Sequence, residues 1–197
     1  MNRIILASKS AARAQILASA GVAFDVAGSG VDEDAIKAKL LAEGATPRDI
    51  ALTLARTKAL AVSAARPGLV IGADQTLDLD GVLFDKAPDL RAARQRFEQL
   101  RGRRHQLHSA VAVAEGGAIR WSEVQSASLS MRDLSDAFLD DYLARNAEAA
   151  LSSVGGYQLE GEGLQLFDQI DGDYFTILGL PVLGLLGVLR EDGAVVR

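Results

Sequence analysis

The sequence predicts an α/β fold, and three patterns predict it. A strand-length apolar run at residues 3–7 leads straight into Ser8-Lys9-Ser10 and a helical stretch at 11–20. The run Leu69-Val70-Ile71-Gly72-Ala73 suits a buried strand, and it is followed by a carboxylate, Asp74, and an amide, Gln75, where the strand is expected to end. Asp80-Gly81 between two apolar runs is a hairpin signal. Ligands of α/β sheets gather outside the carboxyl ends of strands. A carboxylate at such an end can hold a divalent metal or activate a water. It can also simply open a turn.

Composition narrows the function. A chain of 197 residues, read as one domain over 1–197, can bury one large core or two small lobes around a shared site. Hydrophobic residues make up 49% and aromatics 5%, so the core must be mostly Ala, Val, Leu and Ile. The net charge of −5 gives no global attraction for nucleic acid or anionic membranes. The absence of cysteine excludes disulfides, thiolate zinc sites and a Cys nucleophile, and it suits a reducing cytosol. The N-terminal run Met1-Asn2-Arg3-Ile4-Ile5-Leu6-Ala7-Ser8 is too short for a signal peptide. The stretch 174–189 is broken by Gly and Pro and is too short to span a bilayer. These readings point to a soluble cytoplasmic protein with neither a nucleic-acid nor a membrane partner.

The elements follow in order. Ser10 is a candidate N-cap for the helix at 11–20, which Gly21 ends. A strand running into a helix start places Ser8, Lys9 and Arg13 around backbone N–H groups that favour anions. A short strand at 24–27 precedes Asp32-Glu33-Asp34, which opens a helix towards Glu43. Those acids complement the helix dipole, and one of them could reach a metal. Thr46 and Pro47 begin the next helix, with Ile50, Leu54 and Ala61 apolar at helical spacing and Arg56 and Lys58 along it. After the hairpin, Lys86 lies within reach of Asp74, and Asp89 caps a helix to Leu100 with Leu90, Phe97 and Leu100 apolar.

The basic cluster Arg101-Gly102-Arg103-Arg104-His105 marks a helix end and a strand start at 105–114. It is short, lacks interleaved aromatics and sits on an acidic protein, which argues against nucleic-acid binding. His105 and His108 are three apart on a strand, so they face opposite sides and make a poor metal pair. Gly116-Gly117 turns the chain into a partner strand at 119–129. Ser135 caps a helix to Arg145, and the four glycines of residues 155–163 signal a loop that approaches something closely. A strand at 165–170, a turn at Asp171-Gly172-Asp173 and a last helix at 182–190 complete the chain.

Cations that suit phosphates (Arg13, Lys58, Lys86), carboxylates that suit a metal (Glu33, Asp74) and a glycine-rich loop carrying Glu160 together describe a nucleotide-phosphate hydrolase. Neither a Walker-type lysine loop nor a GxGxxG fingerprint is present.

On these residues the chain resembles the Maf family, the septum-formation-inhibitor-like nucleotide pyrophosphatases. The resemblance rests on Leu6-Ala7-Ser8-x-Ser10-x-x-Arg13, Asp32-Glu33, Ala55-Arg56-x-Lys58-Ala59, Ile71-Gly72-Ala73-Asp74, Lys86, the loop 155–163 and Gly179-Leu180-Pro181. It implies a mixed sheet with flanking helices, like the inosine-triphosphate pyrophosphatases, and a cleft between two lobes. It implies hydrolysis of a nucleoside triphosphate to a monophosphate and pyrophosphate, a divalent metal (magnesium or manganese) and a homodimer. Carried over residue by residue, Asp74 accepts the proton of the attacking water and Glu33 supports the metal with it. Ser8, Arg13, Lys58 and Lys86 match phosphate-binding positions.

The family's usual Ser-Pro-Arg-Arg start is here Ser10-Ala11-Ala12-Arg13, so one cation is missing, and its Gly-Lys-Pro is here Asp85-Lys86-Ala87. Three positions separate a branch preferring dTTP and UTP (Arg, Thr, Gln) from one preferring 7-methyl-GTP (Trp, Gln, Glu). Here they are Ala12, Gln75 and Glu160, two of which match the second branch. Guanine offers adjacent N–H donors that a carboxylate can accept side by side, and 7-methylguanine is cationic. The expectation is therefore a 7-methyl-GTP or other modified-purine preference. A dTTP/UTP pyrophosphatase and a non-enzymatic nucleotide-binding division regulator are the alternatives.

Overall fold

The computed structural model describes residues 3–195. Met1 and Asn2, the start of the stretch read against a signal peptide, lie outside them. The chain forms β1 (Ile4–Leu6), α1 (Ala11–Ser19), β2 (Asp25–Val26), α2 (Glu33–Ala42) and α3 (Pro47–Ser63), then β3 (Leu69–Leu79), β4 (Val82–Phe84) and α4 (Leu90–Leu100). It continues through β5 (Arg104–Glu115), β6 (Ala118–Met131), α5 (Asp136–Arg145), α6 (Ala147–Ser152), a 3-10 helix (Glu162–Leu166), β7 (Phe167–Asp171), α7 (Tyr174–Ile177) and α8 (Val182–Glu191).

The sheet is mixed. Its order is β2-β1-β3-β5-β6-β7, with β4 also on β3. β1 is parallel to β2 and to β3, and the remaining pairings are antiparallel. The expected end of β3 at Asp74 is corrected: the strand runs on to Leu79 because β5 pairs with it from Val70 to Asp78. The opposite edge of β3 is discontinuous. β1 covers it as far as Ile71, and β4 takes it up again at Leu77. Asp74 and Gln75 lie in that open edge, beyond the carboxyl end of β1. The strand whose carboxyl end lies beside Asp74 and Gln75 is therefore β1, not β3.

Local signals place the helices. Side chains of Ser10, Asp32, Thr46, Asp89 and Ser135 each accept from a backbone N–H of the following first turn. Thr46 and Asp49 complete a capping box. Asp80 and Gly81, both with positive φ, make the tight turn from β3 to β4. On α3 the buried face is Ile50, Ala51, Leu54, Ala55, Lys58, Ala59 and Val62, so Ala61, expected apolar and inward, is exposed instead. Leu90 is likewise exposed on α4. Three short elements had no pattern to announce them: α6, the 3-10 helix and α7. The 3-10 helix takes residues expected as the end of the glycine-rich loop and the start of the last strand, which moves that strand to Phe167–Asp171, while α6 and α7 form where no element was expected.

Two apolar clusters share the long strands. Ile71, Ala73, Val111 and Val113 pack with α1 and α8 in one. Leu77, Leu79, Leu107 and Leu129 pack with Phe97 and Tyr142 in the other. Alternation along β3 puts Gln75 on the same face, at the seam between them, and turns Asp74 to the opposite face with Gly72. There α3 lies directly on the strand: a Cβ at Gly72 would sit 2.2 Å from the Ala55 carbonyl oxygen. The basic cluster is neutralised by ion pairs, Arg101 with Asp136, Arg103 with Asp80 and Arg104 with Asp171. Among the described residues no helix is long and apolar enough to cross a membrane.

Candidate active site

A cleft of about 1040 Å³ opens at the gap in the edge of β3. All nine residues singled out from the sequence line it: Ser8, Ala12, Arg13, Glu33, Lys58, Asp74, Gln75, Lys86 and Glu160. They come from the β1–α1 turn, α1, α2, α3, β3, the segment after β4 and the loop after α6.

Its centre is a buried lysine between two carboxylates. Lys58 Nζ lies 2.7 Å from Asp74 Oδ1 and 2.9 Å from Glu33 Oε1. The lysine is 5% exposed and Asp74 6%, so the pair stands in a low-dielectric setting that a solvated helix face would not provide. The close seat of α3 on Gly72 delivers Lys58 to this point. Burial pushes the Asp74 carboxyl above its ordinary range, more strongly than Lys58 and Arg13 pull it down. A carboxylate raised in this way is a better proton acceptor near neutral pH.

Arg13 closes the edge. Its Nη1 donates to the Ala73 carbonyl at 3.0 Å and to Ser8 Oγ at 3.1 Å, and its Nε donates to the Gly179 carbonyl at 2.9 Å. The Ala73 carbonyl lies in the stretch of β3 that neither β1 nor β4 covers, so Arg13 does what a neighbouring strand does elsewhere. Burial lowers the Arg13 pKa, and Asp74 and Glu33 oppose that shift. Lys86 is exposed in the cleft. Its segment is anchored by Asp85, whose carboxylate pairs with Lys37 and whose carbonyl accepts from buried Arg96.

Lys9, read at the anion-favouring start of α1, also lines the cleft, and so do Lys37 and Glu148, which the sequence pattern did not single out. Lys37 was legible in principle, because it follows Glu33 by four residues and so shares its helix face. Gln75 Nε2 is turned inward, donating to Ser109 Oγ and to the Ile177 carbonyl, both at 2.9 Å. The histidines are separate, as expected: His105 meets the Tyr157 hydroxyl, and His108 lies between Ser126 and Asp78.

Asp74 and Glu33 converge on the Lys58 ammonium, and among the described residues no group of three His, Cys, Asp or Glu side chains is placed to hold a metal. Two carboxylates beside an open cleft are oxygen donors of the kind magnesium takes together with a phosphorylated substrate, so Asp74 and Glu33 are the residues that could hold a hard divalent cation.

A mixed sheet thus gathers cations and a buried carboxylate at one open edge, the residue types that phosphate hydrolysis uses. The Maf-like protein family model matches residues 3–192, and the chain belongs to this family. It is 62% identical over 191 residues to the nucleoside triphosphate pyrophosphatase of Caulobacter vibrioides, covering 97% of this chain and 96% of that one. It is 49% identical to the 7-methyl-GTP pyrophosphatase of Brucella abortus, with 96% of each chain covered. Among solved structures, a HAM1 protein from Coxiella burnetii superposes with a TM-score of 0.50 at 14% identity, covering 97% of this chain and all of that one. That likeness concerns the fold alone.

Proposed function

We propose that this protein hydrolyses a nucleoside triphosphate between its α and β phosphates, releasing a nucleoside monophosphate and pyrophosphate, and that it prefers 7-methyl-GTP or another modified purine nucleotide. The observation that carries the reading is Lys58 joining Asp74 and Glu33 within a cleft lined by Arg13, Lys37 and Lys86. Asp74 takes a proton from the attacking water as its oxygen bonds to the α phosphorus. The bond to the β-phosphate oxygen breaks, and the lysines and Arg13 bear the charge of the triphosphate and of the departing pyrophosphate. Asp74 and Glu33 would hold a divalent cation, which when bound neutralises phosphate charge. Arg13 also fixes the sheet edge that carries Asp74.

The base preference is supported by the acceptors in the cleft. Glu160 is an exposed carboxylate in its wall, and Gln75 keeps its nitrogen bound inside the protein. Donor-rich guanine suits such a wall, and a cationic 7-methylguanine suits its negative charge. Relatives named for 7-methyl-GTP and relatives named for nucleoside triphosphates at large both occur among the similar proteins. Family resemblance also implies a homodimer, which light scattering tests directly.

The deciding experiment is pyrophosphate release, with magnesium, from 7-methyl-GTP, GTP, UTP and dTTP. Release from none refutes the activity and leaves a binding protein. Release with dTTP or UTP preferred keeps the activity and overturns the base preference.

A further inference from the structure

We infer that the Gln75 amide is locked with its nitrogen turned into the protein, so that the only Gln75 atom a nucleobase meets is the acceptor Oε1, and that buried Ser109 is a positioning residue for this selection. The inference rests on the proposed reading only in taking the cleft as a nucleotide site. It does not depend on which base is preferred.

A count of donors and acceptors fixes the amide. Gln75 Nε2 faces three oxygens: Ser109 Oγ at 2.9 Å, the Ile177 carbonyl at 2.9 Å and the Thr176 carbonyl at 3.2 Å. The two carbonyls can only accept. Ser109 has one hydroxyl proton, and it is given to the Thr176 carbonyl at 2.6 Å. Ser109 therefore also meets Gln75 as an acceptor. A turned amide would set Oε1 against three oxygen lone pairs, two of them on residues 0% and 1% exposed, out of reach of water. The nitrogen is thereby assigned from the network rather than from the atom positions.

The carbonyls are themselves held. They lie at the end of α7, where the last C=O groups of a helix lack partners within it. Asp173 caps the other end, accepting from the Thr176 backbone N–H at 2.7 Å, and the Thr176 hydroxyl lies 3.1 Å from Gln125 Oε1. Gln75 thus serves as a side-chain cap for α7, and both of its N–H groups are used in doing so. Its Oε1 accepts no hydrogen bond among the described residues and lies beside Gly179 and Arg13, and Gln75 itself lines the cleft. A glutamine free to turn accepts or donates as the base requires. This one selects for an N–H donor, an exocyclic amine or a ring N–H, and against a carbonyl.

Two measurements test this. In NMR of the intact protein, the Gln75 side-chain NH2, assigned by its loss in Gln75→Met, is compared with that of Gln95, which is exposed. The Gln75 protons are expected to exchange at least about 10-fold more slowly, and faster in Ser109→Ala than in the wild type. Affinity is then measured for α,β-methylene triphosphates of guanosine against inosine and adenosine against purine riboside, pairs that differ at one exocyclic amine. The amine-bearing member of at least one pair is expected to bind about 10-fold tighter or more. That ratio should collapse in Gln75→Met and shrink in Ser109→Ala, while both variants still bind inorganic triphosphate. Exchange at the Gln95 rate, a preference for the amine-free member, or a ratio unmoved by Gln75→Met overturns the inference. Failure to bind any nucleotide refutes the proposed function instead, and the exchange rates still decide whether the amide is locked.

Discussion

Replacing Asp74 by Asn keeps the shape of the side chain and removes its charge and its basicity. The amide oxygen can still accept from Lys58, and Lys58 keeps Glu33 at 2.9 Å, so the cleft retains its walls and its cations. What is lost is a proton acceptor that burial has raised above the usual carboxylate range. Losing a general base costs about 10²–10⁴-fold in turnover, which is about 3–5 kcal/mol of barrier at 1.4 kcal/mol per factor of ten. Nucleotide binding measured without divalent metal should not weaken, because the charge removed is of the same sign as a triphosphate. The assay is kcat for pyrophosphate release, paired with the Kd of an α,β-methylene analogue for both proteins. The acid limb of the wild-type pH profile should follow the raised Asp74 and vanish in Asp74→Asn. Turnover near the wild-type level would refute the reasoning, and so would a loss of turnover matched by an equal loss of binding.

Four further outcomes are expected. Exhaustive chelation should abolish activity and magnesium or manganese should restore it, since Asp74 and Glu33 offer oxygen donors alone; full activity without metal counts against the proposed ligands. Glu160→Gln should lower kcat/KM for 7-methyl-GTP more than for UTP, and an unchanged ranking of the four nucleotides would remove Glu160 from base selection. Gly72→Ala should cost about 1–3 kcal/mol in denaturant unfolding and lower kcat as well, because a Cβ 2.2 Å from the Ala55 carbonyl pushes away the helix that carries Lys58. Burial lowers the His105 pKa from 6.5 to about 4. A base depressed on folding is stabilising while neutral, and that stability is lost as pH falls from about 6.5 towards 4. His105→Gln should therefore recover about 2 kcal/mol of the stability that the wild type loses between pH 7 and 5, read from denaturation at both values.

The caps were legible because they are local. Ser10, Thr46, Asp89 and Ser135 each sit one residue before a helix and bond within the next few residues, so composition over a short window is enough; Asp32, read only as part of an acidic helix start, caps α2 in the same way. The same holds for the Asp80-Gly81 turn, which needs positive φ at both positions. α6 and α7 escaped because helices of six and four residues are shorter than two turns and show no periodicity. Ala61 was misjudged because the face of α3 is set by what it packs against, and Gly72 and Asp74 of β3 draw the stripe through Ala55, Lys58 and Ala59.

The sequence by itself determined the order of the longer strands and helices, most of their caps and turns, and the residue types a phosphate site requires. All of these depend on neighbours within a few positions of the chain. Only the tertiary structure decided that the nine chosen residues share one cleft, because that depends on where β1 stops and β4 begins along a strand that runs uninterrupted past Asp74. It also decided that Lys58 is a buried bridge rather than a solvated lysine, and that the Gln75 nitrogen faces inward. Those outcomes are set by Gly72, Ser109 and the end of α7, which meet these side chains only after the sheet and its helices have packed.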